Sequence, residues 1–158
     1  MTPPHIHLRK ILRFTPEGPR WPPDVRVVPF EPLKHAPAVH QLLTTAYRDG
    51  GGAVPSFVEW WARLRSDEEY DPELVFLAVD SAGRVVGVAQ CWTSAFVRDL
   101  AVDPAWRRQG LATALLIHAF KTFWSRGADT VDLKVELSNP SGAERLYREL
   151  GMAPVEEE

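Results

Sequence analysis

The stretch from Leu100 to Leu116, Leu-Ala-Val-Asp-Pro-Ala-Trp-Arg-Arg-Gln-Gly-Leu-Ala-Thr-Ala-Leu-Leu, constrains this chain more than any other. Phe96 to Val102 is apolar enough for a buried strand, and Asp103-Pro104 stops it, because proline cannot donate to a sheet ladder. From Leu111 the apolar spacing turns helical: Leu111, Leu115, Ile117, Ala119, Phe120 and Phe123 fall near one face. Arg126-Gly127 ends this helix, Gly127 being suited to a left-handed cap. Val131, Leu133, Val135 and Leu137 then alternate with Asp132, Lys134 and Glu136, the pattern of a second strand. Strand, helix and strand in this order make the two strands parallel, joined by a right-handed crossover.

The junction between the first strand and the helix carries chemistry. The first turn of a helix leaves backbone N–H groups without partners, and its dipole end is positive. Gly110 lets a ligand approach the backbone, Ala112 keeps the wall thin, and Arg107 and Arg108 add positive charge. This is a site for a phosphate or pyrophosphate. The loop has no Gly-Lys-Ser/Thr, so it is not a nucleotide-triphosphatase loop. It has no Gly-x-Gly-x-x-Gly after a first strand, so a dinucleotide fold is unsupported.

Arg107-Arg108-Gln109-Gly110-Leu111-Ala112 resembles the Arg/Gln-x-x-Gly-x-Gly/Ala signature of the GCN5-related N-acetyltransferases, an acetyl-CoA-dependent family. Leu100-Ala-Val-Asp-Pro is similar to the end of that family's fourth strand. Asn139-Pro-Ser-Gly-Ala143-Glu-Arg-Leu-Tyr147-Arg-Glu-Leu-Gly151-Met is similar to its second cofactor motif. The resemblance is clear from Leu74 to Met152. It implies an α/β fold with a mixed, mostly antiparallel sheet, helices on both faces and a parallel fourth and fifth strand. Only Met152 to Glu158 remain for the family's last hairpin, so a shortened C-terminal edge is expected.

A chain of 158 residues is enough for one domain with a real core. Hydrophobic residues at 45% and charged residues at 25% are those of a soluble globular protein. A formal net charge of −3 argues against a general nucleic-acid-binding surface. No apolar run approaches a membrane span. The N-terminus lacks a secretory signal and Cys91 is the one cysteine, so a cytoplasmic location is expected.

Residues 1–24 read as a Pro-rich extension and 25–158 as a single acetyltransferase domain. Within the extension His5 to Phe14 alternates, with Ile6, Leu8, Leu12 and Phe14 on one face and Lys10 the exception. This arm, from the same chain or from a partner chain in a homodimer, is expected to cover the exposed sheet edge. His5 and His7 lack a third ligand, so no metal is expected. Val25 to Phe30 reads as a strand. A helix opened by Pro32 or Pro37 runs to about Arg48, with Ala38, Leu42, Leu43 and Ala46 inward. Gly50-Gly51-Gly52 is a hinge, and Ser56 caps a helix carrying Phe57, Trp60, Trp61 and Leu64. Leu74–Val79 and Arg84–Trp92 form a hairpin. Asn139-Pro140 is expected to open the last helix, which Gly151 ends.

The resemblance implies that the pantetheine arm lies between the fourth and fifth strands, bonded to the backbone of Leu100 and Val102. The pyrophosphate would sit on the loop from Arg107 through Arg108, Gln109, Gly110, Leu111 and Ala112 to Thr113. An N–H near Leu100 or Ala101 would face the thioester carbonyl. Asn139 and Ala143 would line the cofactor arm. Tyr147 stands at the family's general-acid position. Asp99 is the leading candidate base, with Glu136 or a water chain as alternatives. Cys91 has no histidine nearby in sequence and is not read as a nucleophile. The expected reaction is attack of a primary amine on acetyl-CoA, the acceptor being a small molecule or a peptide. A non-catalytic acyl-CoA-binding domain of the same fold is the alternative.

Overall fold

The structure, a computed structural model, describes residues 5–49, 52–136 and 142–155. The elements in chain order are β1 (His5–Ile11), β2 (Arg26–Val28), α1 (Pro32–Asp49), α2 (Phe57–Ser66), β3 (Tyr70–Val79), β4 (Val85–Trp92), β5 (Phe96–Val102), a 3-10 turn (Pro104–Trp106), α3 (Leu111–Ser125), β6 (Thr130–Glu136), α4 (Ala143–Glu149) and β7 (Ala153–Pro154). Among the described residues the strands form one seven-stranded sheet in the order β2-β3-β4-β5-β6-β1-β7. Every pairing is antiparallel except β5 with β6, which the α3 crossover makes parallel.

Two hydrophobic cores lie on opposite faces of the sheet. One packs α3 and α4 through Leu111, Leu115, Phe120, Phe123 and Tyr147 against Leu8, Ala89, Val97 and Leu133. The other packs α1 and α2 through Val39, Leu43, Trp60 and Leu64 against Leu77, Val88 and Ala101. The α3 core is wide, because Ala114 and Leu116 are buried as well as the expected stripe. A Cβ at Gly87 would stand 2.9 Å from Leu115 Cδ1, so the glycine lets α3 press directly onto β4. Trp21, in the segment joining β1 to β2, packs against His118 with ring centroids 5.9 Å apart and covers part of the helix.

The N-terminal strand does not lie at the edge of the sheet. β1 runs antiparallel to β6 from His5↔Glu136 to Ile11↔Thr130, and its other side pairs with the short β7 at Leu8↔Pro154 and Arg9↔Ala153. The alternation of His5 to Phe14 holds as far as Leu12, whereas Phe14 is 84% exposed. Lys10, the polar residue on the apolar face, has a local reason. Its Nζ donates to the Leu150 carbonyl at 2.9 Å, satisfying an orphan carbonyl at the end of α4.

On the opposite face of β1 and β6, Arg9 Nε donates to Asp132 Oδ1 at 2.8 Å, and His7 Nε2 lies 2.7 Å from Oδ2. Burial alone would raise the Asp132 pKa, but the bonds from Arg9 and His7 outweigh it and hold the carboxyl below its ordinary value. Asp132→Asn is therefore expected to cost about 1–2 kcal/mol at neutral pH. Because the folded-state pKa is depressed, the deficit is complete above the unfolded value of about 3.9 and fades as pH falls through the folded-state value. Urea unfolding of both proteins at pH 7 and in acid checks this. A pH-independent gap would remove the carboxylate charge from the explanation.

Three boundaries differ from the sequence pattern. The first main-sheet strand is only Arg26–Val28. β3 begins at Tyr70, through Asp71-Pro72-Glu73, and accommodates the proline by a register shift between the Tyr70↔Trp92 and Val75↔Gln90 pairs. The last helix is Ala143–Glu149, with the left-handed Gly142, φ 74°, at its N-cap. Asn139 and Pro140 themselves lie outside the described residues, as do Leu137, Gly50 and Gly51.

Candidate active site

The parallel ladder between β5 and β6 is short. It holds Phe96↔Asp132 and Val97↔Leu133, and then ends, although both strands continue, to Val102 and Glu136. Among the described residues, the backbone of Leu100, Ala101 and Val102 has no ladder partner on its β6 side, so the strands part toward their carboxyl ends. Ligands of open α/β sheets sit at such ends. β5 keeps its pairing with β4 there, at Ala89↔Leu100, Val88↔Ala101 and Gly87↔Val102.

The basic loop follows immediately. Asp103 caps the 3-10 turn, its Oδ1 accepting from the Ala105 N–H at 2.8 Å. Arg108 and Gly110 have φ of 63° and 82°, so the chain turns sharply into α3. Arg107, Arg108, Gln109 and Gly110 are exposed, Ala112 and Thr113 are half-buried, and Leu111 is in the core. No atom lies within 4 Å of a Cβ built on Gly110, so the helix start faces open space. Among the described residues, no group of three or more His, Cys, Asp and Glu side chains could hold a metal, and no helix is long and apolar enough to cross a membrane.

Tyr147, on α4, belongs to the core on the α3 side of the sheet. It is 8% exposed, and burial pushes its hydroxyl up to about 12. No hydrogen bond to that hydroxyl is found among the described residues. Ala143, one turn earlier, packs half-buried against the same core.

Asp99 faces the other side of the sheet. Gln90 pairs with Asp99 and Cys91 with Val97, so β5 carries an extra residue, Arg98, opposite a single step of β4. The bulge reverses the alternation: Val97 enters the α3 core, whereas Asp99 turns toward α1. Asp99 is 3% exposed and both of its oxygens are engaged. Oδ1 accepts from the Tyr47 hydroxyl, and Oδ2 accepts from Arg98 Nη1 at 2.8 Å. Burial works to lower the Arg98 pKa, but Asp99 outweighs it and the net shift is upward. Burial first, and then the Asp99 charge, push the Tyr47 hydroxyl far above its ordinary range. The field of Tyr147 also reaches Tyr47, so the two tyrosines, from opposite faces, are close enough to interact. Tyr47, Arg98 and Asp99 border a cavity of about 230 Å³ with Leu43, Val54 and Trp60 in its walls.

Tyr47 is absent from the sequence-based candidates. It lies one turn beyond Leu43 on α1, and that spacing puts the two on one face of the helix. The other sequence candidates are less engaged. Glu136 is exposed at the end of β6, opposite His5. Cys91 is buried, and burial pushes its thiol well up, so it is not poised as a nucleophile. A depression of about 320 Å³ beside His118 lies along the C-terminal half of α3, at the other end of that helix from Gly110.

The end of the β5–β6 ladder, the loop leading into α3 and the helix carrying Tyr147 all fall within residues 36–152, and that range matches the sequence model of the acetyltransferase (GNAT) family. The chain belongs to this family. It is similar to the mycothiol acetyltransferase of Thermobispora bispora, with 31% identity over 156 residues that cover 91% of this chain and 52% of that one. Among solved structures, a GCN5-related N-acetyltransferase from Sphaerobacter thermophilus superposes with a TM-score of 0.81 at 29% identity, covering 96% of this chain and 48% of that one. The ribosomal-protein-S18-alanine N-acetyltransferase of Escherichia coli gives a TM-score of 0.61 at 27% identity, with 80% and 76% covered. The chain thus spans about half the length of the first two GNAT proteins and most of the third.

Proposed function

We propose that this protein transfers an acetyl group from acetyl-CoA to a primary amine by direct attack in a ternary complex. The observation that carries the reading is the end of the parallel ladder at Val97 and Leu133 among the described residues, with β5 running on into the exposed Arg107–Gly110 loop. The residues fit the co-substrate. The backbone of Leu100 and Val102 would bond the pantetheine amides as a strand would. The N–H groups from Arg108 to Thr113 would hold the pyrophosphate, helped by Arg107 and Arg108. An N–H near Leu100 or Ala101 would face the thioester carbonyl and stabilise the charge that develops on its oxygen. Asn139 and Ala143 would border the arm.

The acceptor enters from the α1–α2 side, into the cavity between Tyr47, Trp60 and Asp99. Asp99 acts as the base that draws a proton from the amine, and Tyr147 is the acid that meets the departing sulfur. A thiol-release assay with acetyl-CoA against polyamines, aminoglycosides, amino acids and peptide N-termini tests this. Turnover with one of these amines is expected. Acetyl-CoA binding without turnover on any of them would favour the non-catalytic acyl-CoA-binding reading.

The cofactor half of the reading has its own test. Gly110→Glu places an anion against the pyrophosphate site and is expected to weaken acetyl-CoA binding at least about tenfold, or ~1.4 kcal/mol. Any side chain at this left-handed position also strains the backbone. Gly110→Ala carries that strain without the charge, so calorimetry on both variants isolates the electrostatic part. A folded Gly110→Glu protein with normal affinity would place the phosphates elsewhere.

A further inference from the structure

The buried Asp99 carboxylate has little room to act alone. It is 3% exposed, and each oxygen already accepts a hydrogen bond. Tyr47, which holds Oδ1, is 40% exposed and lines the cavity beside it. Tyr47 is the more exposed residue of the pair, and it arrives on a different element, the end of α1. There the chain is fixed by a bond from the Gly52 N–H to the Tyr47 carbonyl at 2.6 Å.

We propose that Tyr47 is the proton relay between the acceptor amine and Asp99; this rests on the acetyltransferase reading given above. As the ammonium group of the acceptor meets Tyr47, an N–H proton passes to the phenol oxygen while the phenol's own proton passes to Asp99 Oδ1. The ammonium becomes a neutral amine with a free electron pair for attack. The carboxylate becomes a carboxylic acid, and Tyr47 is a phenol before and after. No phenolate forms, which suits a hydroxyl that burial and the Asp99 charge keep protonated. Arg98 stays bonded to Oδ2 and orients the carboxyl group throughout. Among the described residues, Cys91 on β4 and Tyr147 on α4 are further titratable neighbours, and burial raises both. Asp67 also acts on Arg98, from the end of α2.

Tyr47→Phe keeps the ring and removes the relay. With the best amine from the panel above, kcat/KM near neutral pH is expected to fall about 10²-fold, within the usual range for proton-transfer assistance. Acetyl-CoA affinity should stay within about twofold. The deficit should shrink as pH rises through the acceptor's own pKa, because the neutral amine is then supplied by solution and needs no relay. Asp99→Asn should show the same closing gap, and the double variant should be no slower than Asp99→Asn alone, as for residues acting as one unit. Tyr47→Met is a second hydroxyl-free variant, should the first melt early. A Tyr47→Phe loss that is constant with pH, or no loss, would overturn the relay while leaving amine acetylation by the parent protein intact. A parent protein inactive on every amine would instead overturn the underlying reading, and the relay with it.

Discussion

Tyr147→Phe is expected to lower turnover by about 10²–10⁴ while leaving acetyl-CoA affinity nearly unchanged. The substitution keeps a ring that is 8% exposed and packed in the α3 core, so the fold survives. Only the transferable proton is lost. The hydroxyl, pushed up to about 12 by burial, is protonated at any working pH and always has that proton to offer. A thiolate with a pKa of about 8.5 is a weaker base than the phenolate left behind. The transfer therefore completes only when Tyr147 recovers a proton, and the newly acylated nitrogen has one to shed. In the proposed mechanism its stabilisation of the leaving sulfur would be felt in the transition state and not in the bound ground state, so kcat should respond and affinity should not. A structural tyrosine would give the reverse pattern, a change in stability with little change in turnover. Single-turnover rates and calorimetry on one preparation separate the two. Near-normal rates, with chemistry limiting, would remove Tyr147 from the mechanism.

The backbone framework of the candidate site was legible in the sequence. A strand stopped by Asp103-Pro104, a pair of arginines, Gly110 and a helical run follow one another along the chain, so local rules suffice to predict a strand, a turn and an open helix start. The proposed acceptor side was only half legible. Asp99 stands out as a carboxylate on an apolar strand, but simple alternation would put it on the face of Val97. The bulge at Arg98 turns it to the opposite face, and nothing in Val97-Arg98-Asp99-Leu100 signals the extra residue. Its partner Tyr47 lies 52 positions away in sequence, and only the packing of α1 onto β5 brings them together. Lys10 shows the same limit in the fold. On a strand it reads as a break in the apolar face, and its purpose appears only once Leu150, at the end of α4, is beside it. Long-range partners and register shifts, not propensities, account for what the pattern missed.

Deleting residues 1–14 is expected to abolish cooperative folding or drive aggregation. β1 is a filled position inside the sheet, with β6 on one side and β7 on the other. Its removal leaves the whole β6 edge, from Thr130 to Glu136, without its antiparallel partner, and an unpaired edge of this kind is a template for intermolecular pairing. It also uncovers Val131, Leu133 and Val135, which are now buried, and removes Leu8, which is 0% exposed, and Leu12 from the same core. β7 loses its partner strand, and the end of α4 loses the Lys10 ammonium on Leu150. Leu8→Ala supplies a graded version: truncating one fully buried leucine costs about 2–5 kcal/mol, a large part of the stability of an ordinary domain. The two variants together test the placement of the strand, since a mobile arm would tolerate both. Thermal melting and size-exclusion chromatography read the result. If the shortened protein melts like the parent and stays at the same oligomeric state, the sheet does not need β1. If the deletion is rescued by adding residues 1–14 as a separate peptide, the strand acts through the β6 edge and can do so without covalent connection.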